Sequence, residues 1–204
     1  MELLLVRHAR PERVEGAAGP ADPPLSPLGR RQAAALAEWL AAEPGVAPLA
    51  AVYTSPLRRA ADTAAPLAAA LGLTPVAEDA LAEYDAEASD YIPIEELRAA
   101  NDPRWRELPP DIATFQTRVM AGVTRVATAH PSQRVALVCH GGVVNVIVAA
   151  VVGVGPAMLF LPGYTSVSRV LVASTGERSL ASLNEMAHLR VAGVAESQLG
   201  AGAA

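Results

Sequence analysis

Leu3-Leu4-Leu5-Val6-Arg7-His8-Ala9-Arg10 begins with four apolar residues that run straight into an Arg-His pair. A run this short, without polar alternation, suits a strand covered on both faces, as in a parallel sheet flanked by helices. In open α/β sheets the carboxyl edge of such strands is where ligand crevices form. Far downstream, Val135-Ala136-Leu137-Val138-Cys139 repeats the design and delivers His140. Two buried strands that each end in a histidine point to one site at one sheet edge.

Working outward, strand and helix alternate. Pro11 to Pro24 is rich in proline, glycine and charge and reads as a loop. Ser26-Pro27 supplies an N-cap and a first-turn proline for a helix that runs to about Glu43 and is stopped by Pro44-Gly45. Leu49 to Tyr53 is a second strand, and Ser55-Pro56 starts a second helix over about Leu57 to Leu71, closed by Gly72. Leu73 to Val76 is a third strand. Asp79 to Pro110 is acidic, broken by prolines, with a short helix around Ile94 to Ala100, and reads as a lid or substrate loop. Asp111 caps a helix whose Ile112, Phe115, Val119, Val123 and Val126 share one face. Val143 to Val152 is a further helix, and Val167 to Ala173 with Leu180 to Asn184 form a closing hairpin around Thr175-Gly176. The pattern predicts an α/β three-layer sandwich, with a mostly parallel central sheet and helices on both faces. We expect one domain over residues 1–190 and a mobile tail over 191–204.

Composition narrows the function. The 204 residues suit one domain able to bury roughly 70% of its unfolded surface. Hydrophobic residues make up 51% and charged residues 18%, so a large core is expected. A net charge of −5 argues against a nucleic-acid partner. The single cysteine, Cys139, excludes an internal disulfide and fits a reducing, cytoplasmic setting. No CxxC or HExxH spacing offers a metal site, and no cofactor is implied. The N-terminal apolar run is too short for a signal peptide. Val135 to Val154 is long and apolar enough to suggest a membrane span. His140, Gly141, Gly142 and Asn145 inside it favour strand, turn and buried helix instead.

Arg7, one arginine of the Arg58-Arg59 pair, His8 and His140 then form a candidate anion site. Arg59 can face the crevice while Arg58 faces solvent, because neighbours on a helix point about 100° apart. Guanidinium forks fit phosphate oxygens two at a time, and Gly141-Gly142 would add backbone N–H groups. Arg10 and Arg13 add charge at the mouth. His130 and His188 read as structural. Cys139 beside His140 suggests a Cys-His nucleophile, but its apolar neighbours favour a buried strand residue.

These residues resemble the histidine phosphatase superfamily, the phosphoglycerate-mutase-like proteins. The resemblance rests on Arg7-His8, Ser55-Pro56-Leu57-Arg58-Arg59-Ala60 with Thr63-Ala64, Leu81-Ala82-Glu83 and His140-Gly141. Pro24-Leu25-Ser26, Gly29 and Gln32-Ala33 add to it, and it extends over nearly the whole chain. It implies His8 as nucleophile and Arg7, Arg59 and His140, with Gly141, around a phosphate. It implies Glu83 as proton donor, with Asp85 and Glu87 as alternatives. Ala9 stands where the family usually has glycine, and Pro11 and Val14 where it has a hydroxyl residue and asparagine. The implied activity is therefore metal-independent hydrolysis of small phosphomonoesters. Phosphoglycerate mutase is the first rival, and an inactive phospholigand-binding module the second. Oligomeric state is not readable.

Overall fold

Along β1 (Glu2–Arg7) the side chains of Leu3 and Leu5 pack to one face and those of Leu4 and Val6 to the other, and all four are inaccessible to solvent. That burial places β1 inside a sheet with two covered faces. The computed structural model describes residues 1–43, 46–106 and 109–195. Its sheet has six strands in the order β3-β2-β4-β1-β5-β6. β2 (Ala51–Thr54), β3 (Val76–Ala77) and β4 (Arg134–Cys139) run parallel to β1, while β5 (Val167–Val172) and β6 (Arg178–Glu185) form an antiparallel edge.

Two helices cover each face. α1 (Pro27–Ala41) and α2 (Arg58–Leu71) pack on the Leu4/Val6 side through Leu36, Leu40, Ala60, Ala64 and Leu67. Small alanines at these positions let helix and sheet approach closely. α4 (Ile112–Ala129) and α5 (Gly141–Val152) cover the Leu3/Leu5 side, with Phe115, Val119, Val123 and Val126 forming the buried stripe of α4. Every side chain of α5 from Val143 to Ala149 is buried, so its near-continuous apolar run belongs to the core. The Val135–Val154 stretch thus splits into β4 and α5, and among the described residues no helix is long and apolar enough to cross a membrane. α3 (Ile94–Ala99) lies in the acidic segment, and α6 (Ala187–Val191) follows β6.

Most expected boundaries agree, and the differences have physical causes. Ser26 caps α1 by accepting the Gly29 N–H at 3.1 Å, and Asp111 caps α4 through the Thr114 N–H. Ser55 does not cap α2. The Arg58 N–H instead donates to both carboxylate oxygens of Asp22, at 2.8 and 2.9 Å, so the cap comes from the distant first loop. The third strand begins at Val76 rather than Leu73, because Gly72 takes a left-handed conformation (φ 66°) and the Leu73 N–H returns to the Ala68 carbonyl. Pro44-Gly45, expected to stop α1, and residues 196–204 of the expected tail lie outside the described residues.

Candidate active site

β1, β2 and β4 are adjacent and parallel, so their carboxyl ends open on one edge, where the chain places His8, Ser55 and His140 in turn. Backbone bonds fix the junctions: the His8 N–H donates to the Cys139 carbonyl at 2.8 Å, and the Ser55 N–H to that of Val138 at 2.9 Å.

His8 is buried, and its Nδ1 lies 2.8 Å from the Ala9 carbonyl oxygen. A carbonyl only accepts, so Nδ1 carries the proton and Nε2 keeps its lone pair. Burial, then the Arg59 and Arg7 charges, hold the His8 pKa well below the usual imidazole value, so the ring is neutral. The His140 ring lies 5.1 Å away between centroids and is held neutral for the same reasons, burial first and Arg59 next. Its Nε2 is 2.8 Å from the Ser55 hydroxyl, which accepts the Leu57 N–H. The His140 Nδ1 is buried with no partner among the described residues.

Arg59, in the first turn of α2, is only 2% exposed. Its guanidinium lies 4.8 Å from the Tyr91 ring centre and 3.7–3.8 Å from Asp85 and Asp22. Arg7 stacks 4.0 Å over the Tyr164 ring, donates to the Pro162 carbonyl at 2.5 Å, and reaches Glu95 of α3 at 3.4 Å. The Nε atoms of both arginines are buried and unpartnered among the described residues. A buried polar group without a partner costs roughly 1–3 kcal/mol, so the Nε–H donors of Arg7 and Arg59, with the unpartnered Nδ1 of His140 beside them, mark a place for an anion.

Glu83 follows a short 3₁₀ turn at Asp79–Leu81, and its carboxylate accepts the Gly142 N–H at 2.7 Å and the Tyr84 N–H at 3.1 Å. Burial, reinforced by the neighbouring Asp85 carboxylate, pushes its pKa up to about 7. A Cβ at position 142 would overlap this carboxylate, so any larger residue there must push Glu83 aside. The Gly142 N–H is therefore committed to Glu83 and is not the free anion donor expected from Gly141-Gly142. Gly141 remains at the pocket, its α-carbon facing Arg7 Nε.

The expected residues Arg7, His8, Arg59, Glu83 and His140 thus converge. Arg10 and Arg13 do not act as free charges at the mouth, because both pair with Glu96 of α3. Cys139 is fully buried, and burial pushes its thiol pKa far up, which removes it as a nucleophile. Tyr91, Tyr164 and Glu95 were not singled out from the sequence, and Ser55 was read only as a helix start and part of the family motif: neither tyrosine sits in a pattern that marks it, and Glu95 is one of many carboxylates in the acidic segment.

A three-layer α/β sandwich with two neutral histidines and a buried arginine at its strand ends, and a second buried arginine at the start of α2, is built to handle phosphoryl groups. The chain belongs to the histidine phosphatase superfamily, branch 1, whose family model matches residues 3–185. It is 30% identical over 203 residues to phosphoserine phosphatase 1 of Hydrogenobacter thermophilus, covering 93% of this chain and 94% of that protein. It is 33% identical over 171 residues to a bifunctional protein of Mycobacterium tuberculosis, covering 78% of this chain but 46% of the relative, so it spans about half the length of that protein. The mycobacterial glucosyl-3-phosphoglycerate phosphatase structure shares the fold, with a TM-score of 0.71 at 24% identity, over 91% of this chain and 99% of that one.

Proposed function

We propose that the protein is a metal-independent phosphomonoesterase that acts on small phosphorylated molecules through a phosphohistidine at His8. The observation that carries this reading is the neutral His8 ring with a free Nε2 lone pair, close to the His140 ring and to the charges of Arg59 and Arg7, whose Nε donors are buried and unpartnered among the described residues. Nε2 attacks phosphorus in line with the ester oxygen, forming P–N as P–O breaks. Arg7, Arg59 and His140 hold the non-bridging oxygens, each worth about 3 kcal/mol in the transition state. Glu83, with a pKa of about 7, gives its proton to the leaving alkoxide. Water then attacks the phosphohistidine. Glu83 takes the water's proton, and the P–N electron pair returns to Nε2. Relatives named phosphoserine phosphatase support a small phosphorylated substrate, and a free buried thiol fits a reducing compartment.

Aryl phosphate hydrolysis by the purified protein in excess chelator tests this reading. Turnover with acid-labile radiolabel on the protein, absent in His8→Ala, is the expected result. Loss of all turnover on chelation overturns the metal-independent mechanism, and inactivity with every phosphoester makes the chain a binding module. Ala9, Pro11 and Val14 favour hydrolysis, so interconversion of 2- and 3-phosphoglycerate at a comparable rate would favour the mutase.

A further inference from the structure

His188 lies outside the ring of residues described above, on α6, yet it is 2% exposed and bonded toward the site. Its Nε2 is 2.9 Å from the Thr165 hydroxyl, which itself donates to the Tyr164 carbonyl at 2.6 Å. A hydroxyl has one proton, and it is spent on Tyr164, so His188 Nε2–H must be the donor to Thr165. The Thr165 N–H in turn donates to the carbonyl of Arg7 at 3.1 Å and leans toward that of His8 at 3.4 Å. The neighbouring Ser166 carbonyl accepts the Arg7 N–H at 3.2 Å, so residues 165–166 hold both the N–H and the carbonyl of Arg7 at the end of β1.

The second observation is strain. Thr165 has φ +57°, a left-handed conformation that a β-branched residue rarely adopts and that costs on its own. Such a residue stays in place only where its surroundings over-determine it. Thr165 is fully buried, and His188 is the side chain that grips its hydroxyl. The adjacent Tyr164 carries the ring that packs under Arg7 and lies 5.8 Å from the His8 ring.

We propose that His188 is a positioning residue for the reaction: through Thr165 it fixes the backbone that aims His8 and Arg7. It never touches substrate. The inference rests on the phosphohistidine reading for its kinetic readout, but its geometric readout stands apart from turnover. Gln places an amide N–H close to where imidazole Nε2 lies, whereas Phe keeps the volume and removes the donor. Thr165→Val removes the hydroxyl at constant shape.

Rapid-quench labelling with an aryl phosphate, with the folded fraction of each variant measured alongside, is the kinetic test. His188→Phe and Thr165→Val are each expected to slow phosphohistidine formation roughly 10- to 100-fold, as a small misplacement of a reacting group does. His188→Gln should stay within about threefold of wild type. The Phe/Val double variant should be no slower than either single variant, since both break one chain. In parallel, the His8 ring nitrogen signals in NMR should move in His188→Phe and Thr165→Val and remain in place in His188→Gln. Unchanged labelling in His188→Phe, equal losses for Gln and Phe, additive losses in the double variant, or loss matching only the unfolded fraction would each overturn the proposal. A wild-type protein without turnover would sink the phosphatase reading instead, and the ring signals would still decide the positioning role.

Discussion

Glu83 has the most demanding surroundings of any single residue here. It is buried, it accepts two backbone N–H groups, and its pKa is still pushed up to about 7 by burial and Asp85. Two outcomes follow. An alkyl phosphate needs the acid, so Glu83→Gln should cut its turnover roughly 10²–10⁴-fold while an aryl phosphate with a good leaving group still labels His8. Rapid-quench comparison of the two substrates checks this, and an equal loss for both would move the acid role to Asp85 or Glu87. In the wild type, alkyl turnover should fall as pH rises through about 7, and the aryl substrate should lack that limb. The stability sign is also fixed. A carboxylate with a folded pKa of about 7 against 4.5 unfolded contributes fully below pH 4.5 and loses that contribution as pH rises through 7. Glu83→Gln removes this loss, so relative to wild type it should gain up to about 3 kcal/mol between pH 4.5 and 8, read from urea unfolding at each pH.

At the scale of elements, the site depends on how α3 and α5 meet the strand ends. The first turn of α3 brings Glu95 to Arg7 and Glu96 to Arg10, so carboxylates sit against the guanidinium groups of the pocket rim. Glu95→Gln removes a competitor for Arg7. It should tighten inhibition by inorganic phosphate several-fold, and weaker inhibition would show that Glu95 helps build the pocket rather than competing for it. The start of α5 is constrained by contact. A Cβ at Gly142 overlaps the Glu83 carboxylate, so Gly142→Ala must displace that side chain. We expect alkyl phosphate turnover to suffer more than His8 labelling by an aryl phosphate, measured side by side.

Across the whole molecule, the end of the sheet away from the site is closed by ions. Glu2 and Glu43 each pair with both Arg134 and Arg169, and Glu185 also pairs with Arg169, at distances of 2.5–3.1 Å. The cluster ties the start of β1 to β4, β5, β6 and Glu43, two residues beyond α1. Its members are partly exposed, so removing one charge should cost roughly 1–3 kcal/mol rather than the larger value of a fully buried pair. Arg169→Met is expected to lower the unfolding free energy read from urea titration by that amount and to leave the aryl phosphate kcat unchanged; a parallel loss of kcat would show coupling along the sheet.

The sequence by itself determined the sandwich and the two histidines. Buried parallel strands must be short apolar runs, and a polar pair at the end of such a run has only the sheet edge to occupy. Leu3–Val6 and Val135–Cys139 announce themselves for that reason, and the stripe of α4 does so through its 3.6-residue period. One arginine of the Arg58-Arg59 pair was legible because only one of two neighbours on a helix can face the crevice, and the family resemblance pointed to Arg59. What the sequence could not yield are contacts that pair distant residues without a local pattern. Asp22 caps α2 from the first loop, Ser55 turns from cap to partner of His140, and Gly142 serves Glu83 rather than the ligand. Tyr164 and Thr165 meet Arg7 only because the chain crosses back beside β1, and His188 meets Thr165 only because α6 then lands behind them. Periodicity reports which face of an element is buried. Which side chain meets which across 20 to 160 residues is decided when the layers pack, and in this protein that packing sets the protonation of Glu83 and the aim of His8.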